Sequence, residues 1–141
     1  MPDVVPHLKL TMAGARKILD AAVAKAQAMG VPQCITVVDD GGHLLAFTRM
    51  DGARVLSIDS SMSKAMTAAS SRVATGRVEG DVGLRLGITT QGKFINLPGG
   101  VPVIVDGQVI GAVGVGSGTG EQDLEVAKAG VAALPGASTG A

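Results

Sequence analysis

Residues 97–123, LPGGVPVIVDGQVIGAVGVGSGTGEQD, constrain the fold more than any other part of the chain. Two runs rich in β-branched residues, 101–105 and 108–115, are separated by Asp106-Gly107. An Asp-Gly pair between such runs specifies a two-residue hairpin, because a type I′ turn needs positive φ at both central residues. Pro98-Gly99-Gly100 leads into the first strand, and Gly114, Gly116, Gly118 and Gly120 lead out of the second. Thr119 with Gln122 three residues on has the pattern of a capping box, and Glu121 and Asp123 suit the positive end of the helix that follows. The glycine corners leave the main chain bare, so a ligand can approach it closely there.

The remaining elements follow from periodicity. Thr11 caps a helix whose stripe is Ala15, Ile18, Leu19, Ala22, Val23, Ala26 and Met29, ended by Gly30 and Pro32. Strands are expected at 33–38 and 43–49, joined by the turn Asp39-Asp40-Gly41-Gly42. A second helix is expected at 54–74, with Ile58, Met62, Ala65, Met66, Ala69 and Val73 on its apolar stripe. Residues 75–96 are the least regular; long loops of this kind are often lids or binding loops, and a short helix fits at 82–86. A third main helix is expected at 121–133, with stripe residues Leu124, Ala127, Val131 and Leu134 and a stop at Pro135. All 141 residues form one domain on this reading, with an arm at 1–9 and a flexible tail at 135–141. Two hairpins with helices packed on them give an α/β fold of the α+β type, built on an antiparallel sheet.

Composition removes several function classes. The chain has two Phe and no Trp or Tyr, which leaves little for stacking bases. Twelve basic residues balance twelve acidic ones, so nothing marks a polyanion partner, and no nucleic acid is expected. No run reaches the roughly 18 apolar residues of a membrane span. The N-terminus lacks the features of a signal peptide, so a cytoplasmic protein is expected. Cys34 is the only cysteine and lies in an apolar strand, as an inert core thiol would. Zero net charge, 21 glycines and 46% apolar residues suit a surface partly covered by other subunits.

No phosphate loop, nucleophile elbow or zinc-protease motif is present. Arg49 and Asp51 read either as a surface ion pair at a turn or, through the planar Arg fork, as a carboxylate holder. Lys64, the only base in the middle of its helix, is either solvated or faces a cleft as a carboxylate-binding amine. Asp39 and Asp40 are turn residues. His7 in the arm and His43 at a strand start are either surface histidines or the strongest candidates for an iron ligand. Met50, Met62 and Met66 are possible soft ligands, with core packing the alternative for the last two.

Six motifs in order carry a resemblance. They are Val37-Val38-Asp39, Gly42-His43-Leu44, Arg49-Met50-Asp51-Gly52-Ala53, Ser61-x-x-Lys64-Ala65, Gly99-Gly100-Val101-Pro102-Val103, and Gly111-Ala112-Val113-Gly114-Val115 with Gln122-Asp123. Over about residues 10–134 the chain resembles the GlcG/HbpS-like family, also called the haem-degrading domain or DUF336 family. The resemblance implies a profilin-like fold, with a central antiparallel sheet of four to five strands and helices on both faces. It also implies homo-oligomers, often tetramers or octamers. Its ligand pocket would be lined by Arg49, Asp51, Lys64, Gly99, Gly100 and Asp123. The expected function is small-ligand binding, with haem or another tetrapyrrole as ligand and His43 or His7 on the iron. The alternative is an enzyme or accessory of small organic-acid catabolism. There Arg49 and Lys64 would hold a carboxylate while Asp39, Asp51 or His43 moves a proton. Whether the chain catalyses a reaction stays open at this point, as does a purely structural role.

Overall fold

The computed structural model describes residues 1–140. Its elements are α1 (Met12–Met29), β1 (Cys34–Asp39), β2 (Leu44–Arg49), α2 (Ser57–Ser71), α3 (Gly80–Thr89), β3 (Gly100–Val105), β4 (Gln108–Gly116), α4 (Gly120–Ala132) and β5 (Ala137–Ser138). The strands form one sheet in the order β2-β1-β4-β3-β5, antiparallel throughout. Two hairpins therefore sit side by side, joined where β1 pairs with β4. The α+β reading and the central antiparallel sheet hold. None of the helices is long and apolar enough to cross a membrane, among the described residues.

Local signals fix the ends of these elements. The Thr11 hydroxyl accepts from the Gly14 amide, and α1 ends at Gly30 in the left-handed conformation, φ 70°. Asp106 and Gly107 both have positive φ, 51° and 75°, as the β3–β4 turn requires. Thr119 and Gln122 form the complete capping box at the start of α4.

The two faces of the sheet differ in side-chain size, and this places the helices. On one face Ile35, Val37, Val101, Val103, Val113 and Val115 meet Ile18, Ala22, Val126 and Val131 from α1 and α4. Each fully buried Val or Ile there contributes about 1.5–3 kcal/mol. On the other face alternation presents Thr36, Val38, Ala112, Gly100, Gly114 and Gly116, and α2 lies against them. A Cβ at Gly114 would collide with the Ser61 carbonyl and the Ala65 amide, and one at Gly100 with the Lys64 carbonyl. The helix backbone thus rests almost directly on the sheet.

This contact corrects the expected stripe of α2. The buried face is Ser57, Ser61, Lys64, Ala65, Thr67, Ala68 and Ala69, so Ala65 and Ala69 lie as expected, while Met62 and Met66 are only half-buried and Val73 is exposed. Large side chains cannot fit between a helix and a glycine-lined sheet, so the small ones turn inward. The Thr36 and Ser61 hydroxyls satisfy each other across this seam at 2.9 Å.

Other boundaries also shift. Helix α2 is shorter than expected and ends where Arg72 takes φ 64°. The short helix expected at 82–86 is the ten-residue α3, capped by the Glu79 side chain on the amides of Asp81 and Val82. The end of the chain is not simply frayed, since Ala137 and Ser138 pair with β3.

Candidate functional site

Lys64, Gly99 and Asp123 come together at one corner, around the ends of β3 and β4. Lys64 is only 4% exposed, and its Nζ donates to the Val115 carbonyl at 2.8 Å and to Asp123 Oδ2 at 2.9 Å. The other carboxylate oxygen of Asp123 accepts from the Gly118 amide at 2.9 Å. Gly99 has φ 122°, and a Cβ there would lie 2.8 Å from Asp123 Cβ and 3.0 Å from Lys64 Nζ. Gly100 makes room for the backbone of α2 in the same way. The residues pack as a closed knot in which one of the three ammonium protons has no partner among the described residues.

Arg49 and Asp51 lie elsewhere. Arg49 ends the edge strand β2, exposed, opposite Cys34, and Cys34 in turn faces Gly116 of β4. Two strand spacings, about 10 Å, separate Arg49 from β4. Asp51 is exposed in the following turn, and it forms no ion pair with Arg49 among the described residues. Cys34 is fully buried; burial pushes its thiol above the ordinary range, with the Arg49 charge partly opposing.

Each of the two histidines contacts an aspartate of the β1–β2 turn. Asp39 Oδ1 accepts from the amides of Gly41 and His43 at 2.9 and 3.0 Å and lies 3.2 Å from His43 Nδ1. Burial opposes the charged form of Asp39, but the two amide hydrogen bonds and the imidazole together outweigh it and hold the carboxyl below its ordinary value. The carboxylate favours the tautomer with a proton on Nδ1, which leaves Nε2 with a free lone pair. The His43 side chain is 81% exposed, so Nε2 is accessible. The ring lies over Gly41, where a Cβ would come within 2.8–2.9 Å of it. His7 Nε2 lies 3.1 Å from Asp40 Oδ2, and the Leu8 amide donates to Gln108 Oε1 at 2.8 Å, so this part of the arm is tied to the sheet.

A mainly apolar cleft of about 350 Å³ opens beside this turn. Gly41 and Gly42 form one wall, Met66 and Ser70 of α2 another, and Lys93 and Phe94 the third. A second cleft of about 390 Å³ adjoins it across Asp40 and Ser70 and is lined by His7, Arg72 and Gln108. Of the residues expected at the site, His7 borders the second cleft, whereas His43 lines neither cleft and reaches the first only through its contact with Gly41. Lys64, Gly99, Gly100, Asp123, Arg49 and Asp51 line neither. Lys93 and Phe94 fall in the irregular stretch 75–96 that the sequence marks as a lid or binding loop, but nothing singles them out individually, nor Ser70, because only the tertiary fold brings residues 90–94 against α2.

Residues 10–132 match the family described as haem degrading protein, HbpS-like. The chain belongs to the HbpS-like family. It is 45% identical over 102 residues to the protein GlcG of Escherichia coli K12, covering 72% of this chain and 76% of that one. The solved structure of the Klebsiella pneumoniae protein ORFY, a DUF336 member, superposes with a TM-score of 0.89 at 37% identity, covering 95% and 96% of the two chains. The PduOC–haem complex superposes at 0.86 with 30% identity, covering 94% and 99%. As an HbpS-like protein, the chain shares its whole fold with a protein whose structure was solved with haem.

Proposed function

We propose that this HbpS-like protein binds haem or a closely related tetrapyrrole at the β1–β2 turn, with His43 as the iron ligand. The observation that carries the reading is the Asp39–His43 pair over Gly41, beside the apolar cleft. A metal-binding imidazole commonly gives its second N–H to a carboxylate, which fixes the ring and raises its basicity. Met66 and Phe94 would offer apolar surface to a macrocycle, and Lys93 would offer it a cation. His7, across the shared Asp40, is the second candidate ligand. The likeness to the PduOC–haem complex supports the choice of ligand. The carboxylate-enzyme reading is weaker, because Lys64 is already bonded to Asp123 and Val115 and Arg49 is two strands away.

A hemin titration followed by absorbance tests the reading. The wild-type chain gives a saturable Soret band, and His43→Ala shifts or abolishes it while His7→Ala has the smaller effect. No saturable binding by the wild type, or an unchanged spectrum in His43→Ala and His7→Ala alike, overturns it.

We also propose that the protein acts as a homo-oligomer. Helix α3 leaves Val82, Leu84, Leu86 and Ile88 exposed by 37–71%, an unusual concentration of apolar surface on ten residues. Light scattering should give a multiple of the 14.0 kDa chain mass; a monomer at micromolar concentration counts against the proposal.

A further inference from the structure

We infer that the second, polar cleft recognises the carboxylates of the bound ligand, so that the protein selects tetrapyrroles with free propionates and Arg72 is the residue that reads them. The inference rests on the haem reading above and names which part of the ligand this end of the site takes. Its first support is adjacency: the polar and apolar clefts share Asp40 and Ser70 in their walls, so the apolar body and the anionic edge of one ligand would meet neighbouring surfaces.

Its second support is the set of groups that line the cleft. Asp40 is the only acid there, and His7 lies 3.1 Å from it. Gln108 spends its Oε1 on the Leu8 amide, which leaves its NH₂ group to donate. Ser70 is exposed and carries a hydroxyl. Arg72 is exposed and has no acidic partner within 4.0 Å among the described residues. The cleft therefore offers a guanidinium, a hydroxyl and an amide as donors, with its one carboxylate next to an imidazole. Arg is the side chain best suited to a carboxylate, because its planar fork donates two parallel N–H bonds.

Third, Arg72 holds its place at a conformational cost. It is the C-cap of α2 in the left-handed region, φ 64° and ψ 20°, a position that glycine or asparagine occupies most easily. Packing does not explain the residue, since it is exposed. Part of its value is local, because a cation suits the negative end of a helix. A carboxylate in the cleft would give the guanidinium the partner it lacks.

The test compares hemin with hemin dimethyl ester, which keeps the macrocycle and iron but has no propionate charge. The wild-type chain should bind hemin about tenfold or more tightly than the ester, the size of one charge-assisted hydrogen bond. Arg72→Asn, whose side chain tolerates left-handed backbone, should keep the fold by circular dichroism and remove the preference by weakening hemin alone. Arg72→Lys should restore part of it. Raised salt should weaken hemin binding and leave ester binding unchanged. Equal binding of the two ligands by the wild type, or a preference that survives in Arg72→Asn, overturns the inference and leaves the haem reading standing. Failure of the wild type to bind either ligand overturns both.

Discussion

Removing one carboxylate should unfasten the corner where α2, β4 and α4 meet. Asp123 accepts from Lys64 Nζ at 2.9 Å and from the Gly118 amide at 2.9 Å, and both charged side chains are at most 5% exposed. In Asp123→Ala the ammonium stays buried with only the Val115 carbonyl as partner, and the Gly118 amide loses its acceptor. Breaking a buried pair from one side costs about 3–5 kcal/mol, because the remaining charge is uncompensated. That is about a fifth or more of the roughly 5–15 kcal/mol that stabilises an ordinary domain. With an unfolding entropy of roughly 2.1 cal/mol/K per residue, a chain of this length should melt about 10–17 °C lower. Urea unfolding followed by circular dichroism measures the loss. The double variant Lys64→Met/Asp123→Ala should recover at least about 1.5 kcal/mol relative to the sum of the single variants, since it leaves no orphan charge. An Asp123→Ala protein within about 1 kcal/mol of wild type would refute the reasoning, because that pair would then be effectively solvated.

Three further outcomes follow from the packing and the titrating groups. Gly114→Ala should destabilise by about 1–3 kcal/mol or more, because its Cβ meets the backbone of Ser61 and Ala65 and α2 must lift; an unchanged urea midpoint contradicts this seam. The Cys34 thiol, buried and shifted upward, should react with a disulfide reagent only slowly in the native protein and rapidly in denaturant; equal rates would place it at the surface. Asp39 has a depressed folded pKa, so its contribution is present above the ordinary value of 3.8 and is lost as pH falls through the lower folded value. Between about pH 5 and about pH 3 the wild type should therefore lose stability more steeply than Asp39→Asn, and parallel curves would remove the turn carboxylate from the account.

The parts of this fold that can be read from the chain are those specified by neighbours in sequence. Thr11 and Gly30 bracket α1, Asp106-Gly107 makes the second hairpin, and Thr119 with Gln122 starts α4. Helix α2 misleads because its apolar period selects Met62, Met66 and Val73, whereas the surface it meets is Gly100, Gly114 and Gly116. Those glycines, recurring on one face of β3 and β4, were the available signal: they mark a close backbone approach. Helix α3 is masked by Gly80, Gly83 and Gly87, which lower its propensity, and by a glutamate in the capping role. Strand β5 is two residues long and depends wholly on β3, so no local pattern announces it. At the site, Asp39 reads only as a turn residue and His43 only as a histidine at a strand start; their pairing across the turn comes from the folded backbone. Phe94 and Lys93 reach the cleft only through the path of the chain after α3, which no short-range rule gives.

Ferric haem is paramagnetic and broadens the amide signals of residues close to it, so a ¹H–¹⁵N spectrum recorded with and without hemin locates the ligand directly. The account predicts loss of the signals of Gly41, Gly42, His43, Met66 and Phe94, with the Lys64–Asp123 corner little changed. Broadening centred on Gly99, Gly100 and Gly118, or a spectrum that hemin leaves untouched, would contradict it.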